Sequence, residues 1–205
     1  MKLKTLSTIA VAMLTTGAFG QYILLDNLSN SGGPTATSGG QIYTQSWYGG
    51  SPTLFDGTQY DLGVTVFGGP SPSQLSLMGT WTPANDPKGY TGEDYGKFAL
   101  GQYGAQVDVP GVTMGGPAYI ELEMWIYDGP NATGTFQSYP AAVAGLDPFA
   151  SVTFEQPYTG SPAVVPPRPP QELTGMPSVI FWVPEPTTFA LAGLGLASLL
   201  AFRRR

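Results

Sequence analysis

Glu121 and Glu123 stand two apart in a segment, 119–127, whose apolar residues Ile120, Leu122, Met124 and Ile126 occupy the alternate positions. In an extended strand this pattern sends the apolar set to one face and both carboxylates to the other, with Trp125 and Tyr127 beyond them. Neighbours on one strand face lie roughly 7 Å apart, inside the roughly 5–9.5 Å between the two carboxyls of a glycosidase. Catalysis would also need one carboxyl held neutral by burial and a cleft around the pair. A lectin-like reading keeps the aromatics and drops the catalysis: Trp47, Trp81, Trp125 and Trp182, with 11 tyrosines, offer flat apolar faces to sugar rings. The plainest reading is a solvent-facing acidic pair on a sheet whose aromatics serve packing.

Other chemistry is narrowed by what the chain lacks. Its 205 residues include no histidine and no cysteine, which removes the usual general base, thiolate nucleophiles, disulfides and the commonest metal ligands. The expectation is a protein that is not an enzyme and uses no cofactor, with no metal-ligating residue assigned. Hard oxygen ligands suited to Ca²⁺ occur in glycine-rich loops at Asp56 to Asp61, at Asn85-Asp86 and at Glu93-Asp94. Their spacing matches neither an EF-hand nor a glycine-aspartate repeat, so they read as solvated loops. Asn27-Leu28-Ser29 and Asn131-Ala132-Thr133 fit the glycosylation acceptor pattern.

The elements that must carry these residues are strands. Two-residue periodicity recurs at 22–27, 41–48, 61–67, 74–81, 102–109, 119–127, 151–156 and 178–183. Clusters of glycine, proline, asparagine and aspartate separate them, as at Gly68-Gly69-Pro70 and Asp128-Gly129-Pro130-Asn131. Between the two ends of the chain only 139–144 suits a helical turn. About eight short strands with frequent turns predict an all-β fold, an antiparallel sandwich or jelly roll. The proline-rich stretch 161–170 reads as a long surface connection before a final strand that pairs back into the sheet.

Charge limits the partners of this part of the chain. Residues 21–183 carry Lys88, Lys97 and Arg168 against thirteen acids, a net charge of about −10. Nucleic acid and anionic head groups are poor partners for it, and the same charge keeps an exported protein soluble.

Each end has its own signature. Lys2 and Lys4 precede an apolar run from Leu6 to Leu14, then the small residues Gly17, Ala18 and Gly20. This is the pattern of a secretory signal peptide, 1–20, handled by the Sec machinery and cut by signal peptidase between Gly20 and Gln21, with Ala18 in the peptidase pocket. At the other end, Val183-Pro184-Glu185-Pro186 leads into an uncharged run, 187–202, followed by Arg203, Arg204 and Arg205. The run is 16 residues, roughly 24 Å as a helix, short against a hydrocarbon core of about 30 Å. Thr187 and Thr188 extend it outward, and the arginines snorkel to cytoplasmic head groups, placing the domain outside. Pro184 and Pro186 hold Glu185 in an extended segment, the form a protease grips.

This three-part tail resembles the PEP-CTERM sorting signal of Gram-negative bacteria that make exopolysaccharide. The resemblance implies recognition of 184–205 by a membrane-embedded transpeptidase-like protease, an exosortase. It also implies transient anchoring in the inner membrane and then delivery to the cell surface or extracellular matrix. A second stretch of the chain looks like a recurrent ectodomain of such proteins. It runs from Val109-Pro110-Gly111-Val112 through Trp125-Ile126-Tyr127-Asp128, the segment 138–145 and Leu173-Thr174-Gly175 to the tail. That resemblance brings no activity and no site residues with it. The organisation expected is therefore signal peptide 1–20, β-sandwich ectodomain 21–183 and sorting signal 184–205. The expected role is a structural or adhesive matrix component, with exopolysaccharide as a partner; a lectin-like module is the alternative, ahead of a carboxylate glycosidase.

Overall fold

The longest alternation in the sequence becomes the centre of the largest sheet. In the computed structural model, which describes residues 22–46, 49–56, 61–82, 96–100, 106–128, 138–145, 148–160 and 169–183, β7 (Ala118–Asp128) lies between β4 (Asp61–Gly69) and β8 (Phe149–Gln156). β5 (Ser76–Trp81) completes the order β5-β4-β7-β8, antiparallel throughout. The apolar set of β7 is fully buried, and register partners on β4 and β8 extend the same face: Val64 opposite Met124, Val66 opposite Leu122, Phe154 opposite Ile120.

A three-stranded sheet supplies the facing layer, with β2 (Ile42–Ser46) between β3 (Thr53–Leu54) and β9 (Val179–Val183). Ile42, Val179, Phe181 and Val183 enter the same apolar cluster as Val64, Val66, Ile120, Leu122, Met124 and Ile126. Two sheets burying one core are the sandwich that the strand spacing predicts. β1 (Tyr22–Leu24) pairs with β6 (Gln106–Asp108) and adds Ile23 to that core. The one helix among the described residues, α1 (Tyr139–Gly145), falls where the sequence suits a helical turn; none there is long and apolar enough to cross a membrane.

Three local differences from expectation have physical reasons. β2 and β9 pair in parallel, while the other strand pairs are antiparallel. A parallel partner needs a long crossover, and here most of the domain provides it. β1 stops at Leu24 because the next residues pair elsewhere: Asp26 bridges Ala99, and Asn27 N–H donates to Phe98 O at 3.1 Å. β3 carries no alternation of its own and is held by its contact with β2, where the Thr44 and Thr53 hydroxyls lie 3.2 Å apart.

A buried polar network joins the loops to the sheets. Asn27 is fully buried: its Oδ1 accepts from Phe98 N–H at 2.6 Å and its Nδ2 donates to Gly40 O and Gly96 O. Asn30 Nδ2 donates to Gly40 O and Leu173 O, and Gln156 bonds Glu172 O and Gly175 N–H. Gly40 sits so close to Pro177 and Ser178 that a Cβ there would strike their main chain. With its amide so engaged and buried, Asn27 is no glycosylation acceptor; Asn131 lies outside the described residues.

Candidate functional site

β9 is the strand that delivers the chain to the Pro-Glu-Pro segment. Its alternation places Val179, Phe181 and Val183 in the core and leaves Trp182 48% exposed. Phe181 is fully buried, with its ring 6.2 Å from that of Phe55. The parallel ladder runs to its last rung, where Val183 pairs with Ser46. Before the strand, Ser178 Oγ donates to Gly33 O at 2.6 Å and Val179 N–H donates to Gln41 O at 3.0 Å. The segment after 183 therefore leaves from a fixed point on the fold.

Residues 183–205 match the family model for the PEP-CTERM protein-sorting motif. The chain carries a PEP-CTERM sorting signal. Such a signal makes the protein an exosortase substrate, exported and sorted to the cell surface. Of the sorting motif, Val183 is in place as the end of β9, while Pro184, Glu185, Pro186, the apolar run 187–202 and Arg203, Arg204 and Arg205 lie outside the described residues. So do the signal peptide 1–20 and its cleavage residues Ala18, Gly20 and Gln21. No curated protein and no solved structure matches the chain.

The acidic pair lies on the outer face of the four-stranded sheet. Glu121 and Glu123 are half-buried there, opposite Thr153 and Ser151 on β8, and Ser151 Oγ donates to Glu121 Oε1 at 3.4 Å. Partial burial, and secondarily the charge of Glu121, raises the pKa of Glu123. The pKa of the Tyr139 hydroxyl is raised as well, first by burial and then by the charges of Glu123 and Glu121, so the α1 phenol lies within the field of both carboxylates. A carboxyl pushed towards its neutral form with a second carboxyl on the same sheet face is the arrangement an acid and its partner require.

The aromatic half of this face is not an open platform. Trp125 is 0% exposed and Tyr127 nearly buried, both packed with Ala142 and Tyr139 of α1. The Trp125 indole lies over Gly63, its register partner on β4, where a Cβ would collide with Cε2 and Cζ2. Alternation puts Trp125 and Tyr127 on the face of Glu121 and Glu123; it carries no information about the helix that covers them. The most exposed aromatic on this face among the described residues is Phe149, opposite Trp125 on β8, 41% exposed and edge-on to Tyr139 at 5.7 Å. No sequence signal marks it, because Phe149 sits at the start of β8, ahead of the stretch 151–156 that shows alternation.

Among the described residues no three His, Cys, Asp or Glu side chains gather as a metal cluster. Asp56 and Asp61 are placed on either side of undescribed residues, and Asn85-Asp86 and Glu93-Asp94 lie outside the described chain.

Proposed function

We propose that this protein is a structural or adhesive component of the cell surface or exopolysaccharide matrix, delivered as a folded β-sandwich and freed from the membrane by an exosortase. The observation that carries this reading is the junction at Val183, where the sorting signal begins on a residue buried in the core and paired with Ser46. Only Pro184, Glu185 and Pro186 separate β9 from the uncharged run beginning at Thr187. Three extended residues reach at most about 10–11 Å. Anchored through 187–202, the sandwich would sit against the head groups with the Pro-Glu-Pro segment as its only tether. Cutting there would release the sandwich, because each strand among the described residues lies before the cut.

In this reading the protein is not an enzyme and works without cofactors. The Sec machinery and signal peptidase handle the first 20 residues, and no nucleic acid is involved. The test replaces Pro184, Glu185 and Pro186 by alanine. Retention in the inner membrane and loss of the protein from the matrix supports the reading; matrix delivery unaffected by the change overturns it.

A second reading has its own observation. Exposed Phe149, edge-on to Tyr139 and on the same sheet face as Glu123 and Glu121, combines an apolar ring with hydrogen-bond acceptors, as a sugar-binding face requires. Binding of the host's own polysaccharide, abolished by Phe149→Ala, would support it. Release of reducing sugar that Glu121→Gln or Glu123→Gln abolishes would instead favour the glycosidase.

A further inference from the structure

Asp26 is a buried carboxylate with no ion pair among the described residues. Two residues past β1 it bridges Ala99, and its carbonyl accepts from Leu173 N–H at 2.9 Å. The residue is only 2% exposed. Leu28 N–H donates to its carboxylate, yet Oδ1 is buried without a hydrogen-bond partner. The next amide along, Ser29 N–H, donates to Oε2 of Glu172 at 2.8 Å. Successive amides of one turn thus each hold a carboxylate. Glu172 is the charge that acts on Asp26, and Lys97 is the only basic residue among the described ones.

A buried acceptor without a donor, next to a second carboxylate, is unfavourable until something positive is placed between them. We propose that Asp26 and Glu172 form a Ca²⁺ site, with Asp26 Oδ1 and the Glu172 carboxylate as its side-chain ligands and main-chain or water oxygens filling the remaining positions. Hard oxygen ligands without imidazole or thiolate select Ca²⁺ over transition metals, and the irregular loop setting suits Ca²⁺ better than the strict octahedron of Mg²⁺. A proton is the competing occupant. A proton needs only Asp26, whereas the ion needs both carboxylates, so Glu172→Gln separates the two occupants.

Two carboxylates place the site in the affinity class of extracellular modules, Kd about 10⁻⁴–10⁻³ M. Its structural effect would be to clasp the turn after β1 to the loop 171–176 that leads into β9 and the sorting signal. This proposal does not depend on the matrix role.

The test is thermal unfolding of the full chain near neutral pH after stripping with EDTA, with and without CaCl₂, for wild type, Asp26→Asn and Glu172→Gln. At CaCl₂ about tenfold above Kd, wild type should melt about 3–6 °C higher and both variants should show no shift. Glu172 is only half-buried, so Glu172→Gln keeps the test open should Asp26→Asn not fold. No shift in wild type, or an equal shift in a folded variant, overturns the site. The first result would leave the pair to a proton, and the second would put the ion elsewhere.

Discussion

Val183 and Ser46 are register partners on the last rung of the parallel pair β2–β9, so the first residue of the sorting signal is also the last residue of a sheet ladder. Folding and sorting meet at that residue. A domain whose β9 is unpaired would present the protease with a longer loose segment, and a folded one presents only the residues after 183.

Phe181→Ala tests how firmly β9 is seated. The ring is fully buried against Phe55, and its removal should cost about 3–5 kcal/mol of stability, read from the denaturant midpoint. Trp182→Ala, one residue on and pointing outward, should change stability by less than about 0.5 kcal/mol.

Gly63→Ala should be destabilising although it adds one methyl group. The new Cβ would enter the space of the Trp125 indole, which α1 prevents from lifting away, at a cost of about 1–3 kcal/mol. Near-ultraviolet circular dichroism of Trp125 should change with the melting temperature.

Trp125→Ala and Phe149→Ala should behave differently. The first opens a cavity beneath α1 and should lower stability by about 3–5 kcal/mol whatever the glycan. The second removes an exposed ring and should leave the melting temperature near that of wild type, so a loss of polysaccharide binding in Phe149→Ala would report on the surface alone.

Without metal, Asp26 gives stability a definite pH dependence. Burial, and then Glu172, raises its pKa from 3.8 to about 6 in the folded protein. The folded state therefore holds this proton more tightly than the unfolded state. The contribution of Asp26 is most favourable below about pH 4 and is lost as pH rises through 6, by at most about 3 kcal/mol. In EDTA, the difference in unfolding free energy between wild type and Asp26→Asn should follow that curve, with the variant gaining on wild type as pH rises.

The sequence reveals what depends on local alternation and hides what depends on distant chain. Strands β4, β7 and β9 follow from residues such as Val64, Ile120 and Phe181 at every second position, and the short helix follows from 139–144. The partner of β9 is not legible, because nothing within 179–183 specifies Ile42 to Ser46 or a parallel direction. The same holds for Trp125: alternation assigns it a face, while its burial comes from Ala142 and Tyr139, more than ten residues later. In the sequence Asp26 and Glu172 are two of the thirteen acids in residues 21–183. Only the fold sets them on the consecutive amides of Leu28 and Ser29. The sorting signal is the most legible feature, since its chemistry is linear and needs no tertiary partner.

Everything proposed for delivery rests on the segment after Val183 being a processing signal attached to a completed fold. Intact mass and location of the protein in its native host, compared with the variant in which Pro184, Glu185 and Pro186 are alanine, test this. A surface or matrix form ending near 183–186 is expected for the natural sequence, and an unprocessed, membrane-held form for the variant. A full C-terminus ending in Arg203, Arg204 and Arg205, located in the inner membrane in both cases, would contradict it.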